Sequence, residues 1–322
     1  MSVTQEQATW FADAFSKLVD NIDQAIVGKK HQIRLVLTAM LSEGHVLLED
    51  VPGTGKTVLA KALANTLDGT HSRVQFTPDL LPSDVTGVTI YDQGKGKFEF
   101  HPGPIFASVV LADEINRASP KTQSALLEVM EEGVVTIDGV GHSVGRPFMV
   151  IATQNPVEQA GTYKLPEAQL DRFLIKTSLG YPDHETSLAL MLDSANRSRA
   201  DGISAIIGSD VVVTMAGLAS EVFVDPSIMD YIIQIVGATR TDKDVALGVS
   251  MRGALGMART IRTWAIASGR TYVTPDDVRD LAIPVLAHRV IIDAESEFAG
   301  VKAEEVIERI LLNVAAPAYR AA

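Results

Sequence analysis

HVLLEDVPGTGKT, residues 45–57, joins a strand signal to a helix signal through a turn rich in Gly and Pro, and the remaining elements take their places around it. His45 to Glu49 is a short apolar run of strand length, Asp50 to Gly55 is the turn, and Lys56-Thr57 opens a helix. A strand that passes through a glycine loop into a helix N-terminus makes an anion site, because unpaired N–H groups and the positive end of the helix dipole converge there. Gly53 and Gly55 let the backbone approach a phosphate. Lys56 reaches the β- and γ-phosphates, and the Thr57 hydroxyl offers an oxygen to Mg²⁺. The full pattern G-x-x-x-x-G-K-[ST] is not met, since Asp50 stands where its first glycine belongs. A chance Gly-Lys-Thr turn is the competing explanation, and the flanking strand and helix favour a loop that binds nucleoside triphosphate.

The chain has 322 residues, enough for about two domains, with 46% hydrophobic and 21% charged residues, as in soluble globular proteins. There is no cysteine, which excludes disulfides, thiolate metal sites and a cysteine nucleophile. The N-terminus, MSVTQEQATWFADAF, lacks the basic start and continuous apolar core of a signal peptide. No apolar run is long enough to span a bilayer. The expectation is a cytoplasmic protein. A net charge of −12 and a pI near 5.0 speak against a broad nucleic-acid surface and leave room only for a local basic groove.

Thr4 and Gln7 have capping-box spacing, followed by Phe11, Phe15, Leu18 and Ile22 at helical intervals. A second helix after Val27-Gly28 carries Ile33, Val36, Leu37, Met40 and Leu41 on one face. The helix after Thr57 buries Leu59, Ala62, Leu63 and Leu67 and stops at Asp68-Gly69. Residues 72–76, 108–112, 148–153 and 174–178 read as further strands. Two hairpins are expected, at 89–100 around DQGKGK and at 134–144 around Asp138-Gly139. Ser119 caps a helix with Pro120 at its first position, and PEAQLDRF is read as a short helix. After Gly180-Tyr181-Pro182 the pattern turns almost wholly helical, with starts at Asp225-Pro226 and Thr274-Pro275 and a linker at Ala200-Asp201-Gly202. Strands alternating with helices imply a parallel sheet. The predicted organisation is an α/β nucleotide-binding core over 1–182 and an all-helical domain over 183–322.

The run Val109 to Ala112 ends in Asp113-Glu114. Strand C-termini line the ligand crevice of a parallel sheet, which sets these carboxylates beside the phosphate loop. Asp113 is assigned to Mg²⁺, largely through water and with the Thr57 hydroxyl, and Glu114 to the water that attacks the γ-phosphate. A helix N-cap explains an isolated Asp-Glu about as well; its order after a GKT loop favours the catalytic reading. Asn155, after the third apolar strand, offers a neutral amide to the γ-phosphate and the attacking water, with an Asn-Pro turn as its alternative.

The blocks VPGTGKT, VLADEINRASPKTQSALLEVMEE, IATQNPVEQAGTYKLPEAQLDRF and VTPDDV, in this order, resemble the MoxR family of AAA+ ATPases, from about Ile26 to the final helices. The resemblance implies a P-loop AAA+ core followed by a helical lid. It makes the 89–100 hairpin the helix-2 insert and the 134–144 hairpin the pre-sensor-1 insert. By position, Lys56 and Thr57 fall in Walker A, Asp113 and Glu114 in Walker B, Asn155 at sensor 1, Arg172 at an arginine finger and Arg252 at sensor 2. The nucleotide set is Gly53, Thr54, Gly55, Lys56, Thr57, Val58 and Arg252; the metal set is Thr57 and Asp113; the catalytic set is Glu114, Asn155 and Arg172. Read without the family, Arg172 is a surface residue paired with Glu167 or Asp171, and Arg252 belongs to a solvated helix face. Arg117 either meets a neighbouring subunit or pairs with Glu114 when no nucleotide is bound.

The resemblance implies an ATP- and Mg²⁺-dependent, ring-forming ATPase, hexameric and chaperone-like. It implies a protein client and a partner carrying a von Willebrand factor A domain. Two other classes stand beside this one. Hairpin inserts also occur in nucleic-acid motors, although only Lys95, Lys97, His142 and Arg146 suggest a basic pore and aromatics for stacking are few. A slow nucleotide switch is the third, against which the Asp-Glu pair argues; the lack of an N-K-x-D segment argues against guanine specificity.

Overall fold

The computed structural model describes residues 3–156, 163, 165–192 and 199–317. Helix α1 (Gln5–Asp23) opens the chain with the expected reciprocal cap: the Gln7 N–H donates to Thr4 Oγ1 and the Thr4 N–H to Gln7 Oε1. In order follow α2 (Lys30–Leu41), β1 (Val46–Glu49), α3 (Lys56–Thr66), β2 (His71–Gln75), α4 (Pro82–Thr86) and the hairpin of β3 (Gly87–Asp92) and β4 (Lys97–Pro102). Next are β5 (Val109–Asp113), α5 (Pro120–Glu132), the hairpin of β6 (Val134–Ile137) and β7 (Val140–Ser143), β8 (Met149–Gln154), α6 (Glu167–Leu170) and β9 (Ile175–Thr177). The chain continues through α7 (His184–Leu192), α8 (Ser209–Ser220), α9 (Pro226–Thr241), β10 (Val245–Leu247), α10 (Met251–Ile266), α11 (Pro275–Leu286), β11 (Ile291–Ile292), α12 (Ala294–Phe298) and α13 (Ala303–Asn313).

The central sheet has the order β2-β5-β8-β1-β9, with β2 and β5, β5 and β8, and β8 and β1 paired in parallel. Every residue of β5 is buried, as are the first five of β8, so these strands read as unbroken apolar runs rather than alternating ones. Leu126 and Leu127 of α5 and Val85 of α4 pack with Phe76, Ile105 and Phe173 against Val110, Ala112, Val150 and Ala152. Helix α5 is held in phase by local chemistry: the Ser119 hydroxyl caps it, Pro120 takes the first position, and Gly133 closes it at φ 65°. The second hairpin turns at Asp138 and Gly139, both at positive φ, the conformation that suits a two-residue turn between twisted strands. Register then aligns the strand ends: Gln75 faces Asp113, Ala112 faces Ala152, and Glu49 faces Gln154. The glycine loop leaves β1, Asn155 leaves β8 and the carboxylates end β5 along one edge, where parallel sheets place ligands.

The chain divides into two compact units: Lys17–Phe173 with Thr177–Val213, and Met1–Ser16 with Leu174–Lys176 and Thr214–Ala322. This differs from a single boundary at 182/183. Residues 199–207 belong with the sheet because they pack on α3. The Ala200 carbonyl accepts from Asn65 Nδ2 at 2.8 Å, Asp201 pairs with Lys61, and the Ile206 N–H donates to the Thr66 carbonyl at 2.9 Å. The expected linker at Ala200-Asp201-Gly202 is therefore a packed 3₁₀ turn, with Ala200 buried. The start of α1 belongs with the other unit, where Gln5 Nε2 donates to the Gly269 carbonyl. In that unit α9 and α11 begin at Pro226 and Pro275 as expected, and β10 and β11 add a small antiparallel pair. The short helix of the LDRF region is restricted to Glu167–Leu170, and residues 157–162 and 164 of the same block lie outside the described residues.

Candidate active site

The loop after β1 is built around its glycines. Gly53 and Gly55 take φ of 86° and 94°, the left-handed region that glycine enters without a Cβ clash, and Gly55 is the N-cap of α3. A glycine cap has no side chain to satisfy the first N–H groups of α3, so these donors stay available for an anion. Lys56 folds back over the loop, its Nζ donating to the carbonyls of Asp50 at 3.0 Å and Val51 at 3.3 Å. Thr54 is buried with its hydroxyl toward the Val51 carbonyl, and Thr57 and Val58 lie half-buried in the first turn of α3.

Asp50, the departure from the glycine pattern, has a structural explanation. It is buried, and its carboxylate accepts the N–H groups of Leu179 at 2.5 Å and Gly180 at 3.0 Å. Its own N–H donates to the Gln154 carbonyl. One residue thus ties the head of the phosphate loop to the end of β8 and to the segment that follows β9. A glycine here would leave two N–H groups without their acceptor, a cost of about 1–3 kcal/mol for each buried group.

At the end of β5, Asp113 is almost fully buried and both of its oxygens are engaged. Oδ1 accepts from the Thr153 hydroxyl at 2.7 Å and Oδ2 from Arg73 Nη2 at 2.6 Å. Glu114 adopts a left-handed backbone (φ 57°, ψ 49°), uncommon for a residue with a side chain, and its N–H donates to Thr153 Oγ1 at 2.9 Å. Its Oε2 accepts from Gln75 Nε2 at 2.6 Å and lies 3.3 Å from Arg117 Nε. The pairing of Arg117 with Glu114, one of its two expected placements, is therefore present. Asn155 is buried directly after β8, the strand lying between β5 and β1.

The outlying arginines sit differently. Arg172 follows α6, and its Nη2 is 3.2 Å from Glu131 Oε2 on α5, so its ion partner is neither Glu167 nor Asp171. Its Nε is buried with no hydrogen-bond partner among the described residues. Arg252 is the exposed second residue of α10, a helix capped by the Ser250 hydroxyl on the Gly253 N–H, in the unit that does not contain the loop.

Three residues of this arrangement escape the sequence reading: Thr153, Arg73 and Gln75. Thr153 lies inside the IATQNP block. Arg73 and Gln75 stand two apart on β2 and so share a face, and that period was the available signal. Which carboxylate each meets depends on the β2–β5 register.

The oxygen donors suit a small divalent cation, since Mg²⁺ takes one or two protein oxygens and completes its shell with phosphate and water. Asp113 Oδ2 already faces a cation, the Arg73 guanidinium, and the Thr57 hydroxyl is the second candidate donor. Among the described residues no group of three or more His, Asp or Glu side chains is arranged for a metal, and no helix is long and apolar enough to cross a membrane.

Comparison with known proteins agrees with this geometry. Residues 45–175 match the profile of the ATPase family associated with various cellular activities (AAA), and residues 237–310 match that of the AAA lid domain. The chain is 40% identical to chaperone MoxR1 of Mycobacterium tuberculosis over 95% of this chain and 83% of that one. It is 30% identical to protein MoxR of Paracoccus denitrificans over 86% and 88%. A crystal structure of a candidate ATPase from Cytophaga hutchinsonii superposes with a TM-score of 0.91 at 39% identity, covering 97% of this chain and 98% of that one.

Proposed function

Because the chain belongs to the MoxR family of AAA+ ATPases and is an ATP hydrolase with chaperone-like relatives, we propose that it is a Mg²⁺-dependent, ring-forming machine that remodels or matures a protein client. One observation carries the reading: the glycine loop, Asn155 and the Asp113-Glu114 pair open on a single edge of the parallel sheet. The proposed ring is a hexamer working in the cytoplasm with a partner that carries a von Willebrand factor A domain.

In this mechanism the loop N–H groups and Lys56 hold the β- and γ-phosphates, and Lys56 exchanges two carbonyl contacts for phosphate oxygens. Thr57 and Asp113 would hold Mg²⁺, which would supply charge neutralisation at those oxygens. Glu114 orients the attacking water and accepts its proton, which requires Oε2 to leave Gln75 and Arg117. Asn155 adds a neutral hydrogen bond at the γ-phosphate without changing the charge. Arg172 acts on the γ-phosphate of the neighbouring subunit, and Arg252 senses nucleotide from the lid.

Turnover of ATP and GTP by the purified chain, with and without Mg²⁺ and beside Lys56→Ala, tests the chemistry. Removing the ammonium beside the phosphates should abolish tight binding and hydrolysis. A Lys56→Ala protein with wild-type turnover removes the loop from the mechanism. Sedimentation with ATP tests the ring, and copurification with the Glu114→Gln variant tests the client and partner.

A further inference from the structure

Asp113 and Glu114 are consecutive carboxylates, and each is covered by an arginine. Arg73 Nη2 donates to Asp113 Oδ2 at 2.6 Å and to Gln75 Oε1 at 3.0 Å, while Arg117 lies against Glu114. Gln75 spans the two pairs, receiving from Arg73 on its oxygen and donating to Glu114 from its nitrogen. Two adjacent carboxylates on their own would attract a free divalent cation; the arginines cancel that charge.

The two contacts of Asp113 differ in how easily they can be given up. Thr153 is fully buried on β8, and its hydroxyl also receives the Glu114 N–H, so Oδ1 is held by a group that cannot move away. The Arg73 side chain is 48% exposed against 13% for Asp113. Its guanidinium can turn into water, where its long stem keeps the charge solvated, but doing so leaves the buried Asp113 carboxylate without its counter-charge until another cation takes the place. Oδ2 is therefore the oxygen that can be offered to a metal, and Arg73 is what occupies it.

We propose that Arg73 is the resident counter-cation of Asp113, a positioning residue that must release Oδ2 before a divalent cation can use it. The site then rejects free metal and accepts it only when nucleotide phosphates add the negative charge that shifts the balance. This inference rests on the reading of Asp113 as the metal-side carboxylate of the ATPase. Arg73 sets the cation threshold of the site and takes no part in bond making.

The test is Mn²⁺ binding to the full-length protein, followed by the electron paramagnetic resonance of the free ion, first without nucleotide and then with a non-hydrolysable ATP analogue. Arg73→Gln removes the competitor and should bind Mn²⁺ without nucleotide about tenfold more tightly than wild type, equivalent to about 1.4 kcal/mol. With the analogue present the gain should shrink, because Arg73 has already left in the wild type. Arg73→Lys, which keeps the charge without the planar fork, should fall between the two. Adding Asp113→Asn to Arg73→Gln should erase the gain. Unchanged or weaker Mn²⁺ binding by a folded Arg73→Gln protein overturns the proposal, as does a gain that survives Asp113→Asn. Binding of a fluorescent ATP analogue to the wild type without metal is measured alongside. Because the proposed ATPase uses the metal complex of the nucleotide, the same binding is repeated with Mg²⁺. Its absence under both conditions defeats the ATPase reading, whereas the Mn²⁺ comparison without nucleotide still decides the role of Arg73.

Discussion

Replacing Arg172 by alanine separates two energies of very different size. In the structure Arg172 Nη2 is 3.2 Å from Glu131 Oε2, and both side chains are partly solvated. Such a pair contributes about 0–1 kcal/mol to stability, which for a chain of this size moves Tm by no more than about 2–4 °C. An arginine supplied in trans to a phosphoryl transition state is worth roughly 10³–10⁵ in rate, or about 4–7 kcal/mol of barrier. Arg172→Ala should therefore melt like the wild type, bind ATP nearly normally and lose almost all turnover. Glu131→Gln provides the control, because it breaks the ion pair and leaves the guanidinium in place; it should keep most of its turnover. The assay is steady-state hydrolysis at saturating ATP, with nucleotide binding and thermal melting in parallel. A mixture of Arg172→Ala and Lys56→Ala subunits should recover part of the activity once exchange is confirmed with labelled chains. In such a mixture one subunit brings an intact pocket and its neighbour an intact arginine. Wild-type turnover by Arg172→Ala alone refutes the assignment and leaves the Glu131 pair as a surface contact.

Glu114→Gln keeps the size of the side chain but not its basicity, so ATP binding should survive while hydrolysis nearly stops; a folded variant unable to bind ATP makes Glu114 structural. Asp50→Ala should cost about 3 kcal/mol, from two charge-assisted bonds to backbone N–H groups less what water restores at Gly180. Chemical denaturation measures it, and a loss below about 1 kcal/mol would mean that the tie to Leu179 and Gly180 carries little. Arg252→Ala should weaken nucleotide-dependent protection of the helical unit from protease, and identical digestion of variant and wild type with and without ATP counts against that coupling.

The elements that carry the chemistry are legible in the chain because their signals are local. A strand, a glycine turn and a helix start within thirteen residues, 45–57, specify an anion loop from backbone donors alone. The run ending in Asp113-Glu114 is unbroken because β5 is covered on both faces, and Ser119-Pro120 and Gly133 mark both ends of α5 through capping chemistry. Hairpin positions likewise follow from turn residues such as Asp138-Gly139. What the chain alone could not decide is which side chains meet. Arg73 reaches Asp113, and Gln75 reaches Glu114, through the pairing of β2 with β5, which the intervening hairpin separates in sequence. Thr153 meets the Asp113 carboxylate and the Glu114 backbone N–H because β8 lies beside β5. Asp50 looked like a defect in a motif, and only the return of residues 179–180 to the loop gives its carboxylate two donors. Residues 200–202 have the composition of a linker, yet packing against Asn65 and Lys61 makes them part of the sheet unit. Capping and turn formation depend on neighbours along the chain, and a buried strand leaves its mark as a continuous apolar run, so these were legible in the sequence alone. Ion partners and packed turns depend on strand order and register, which the burial of the whole core selects.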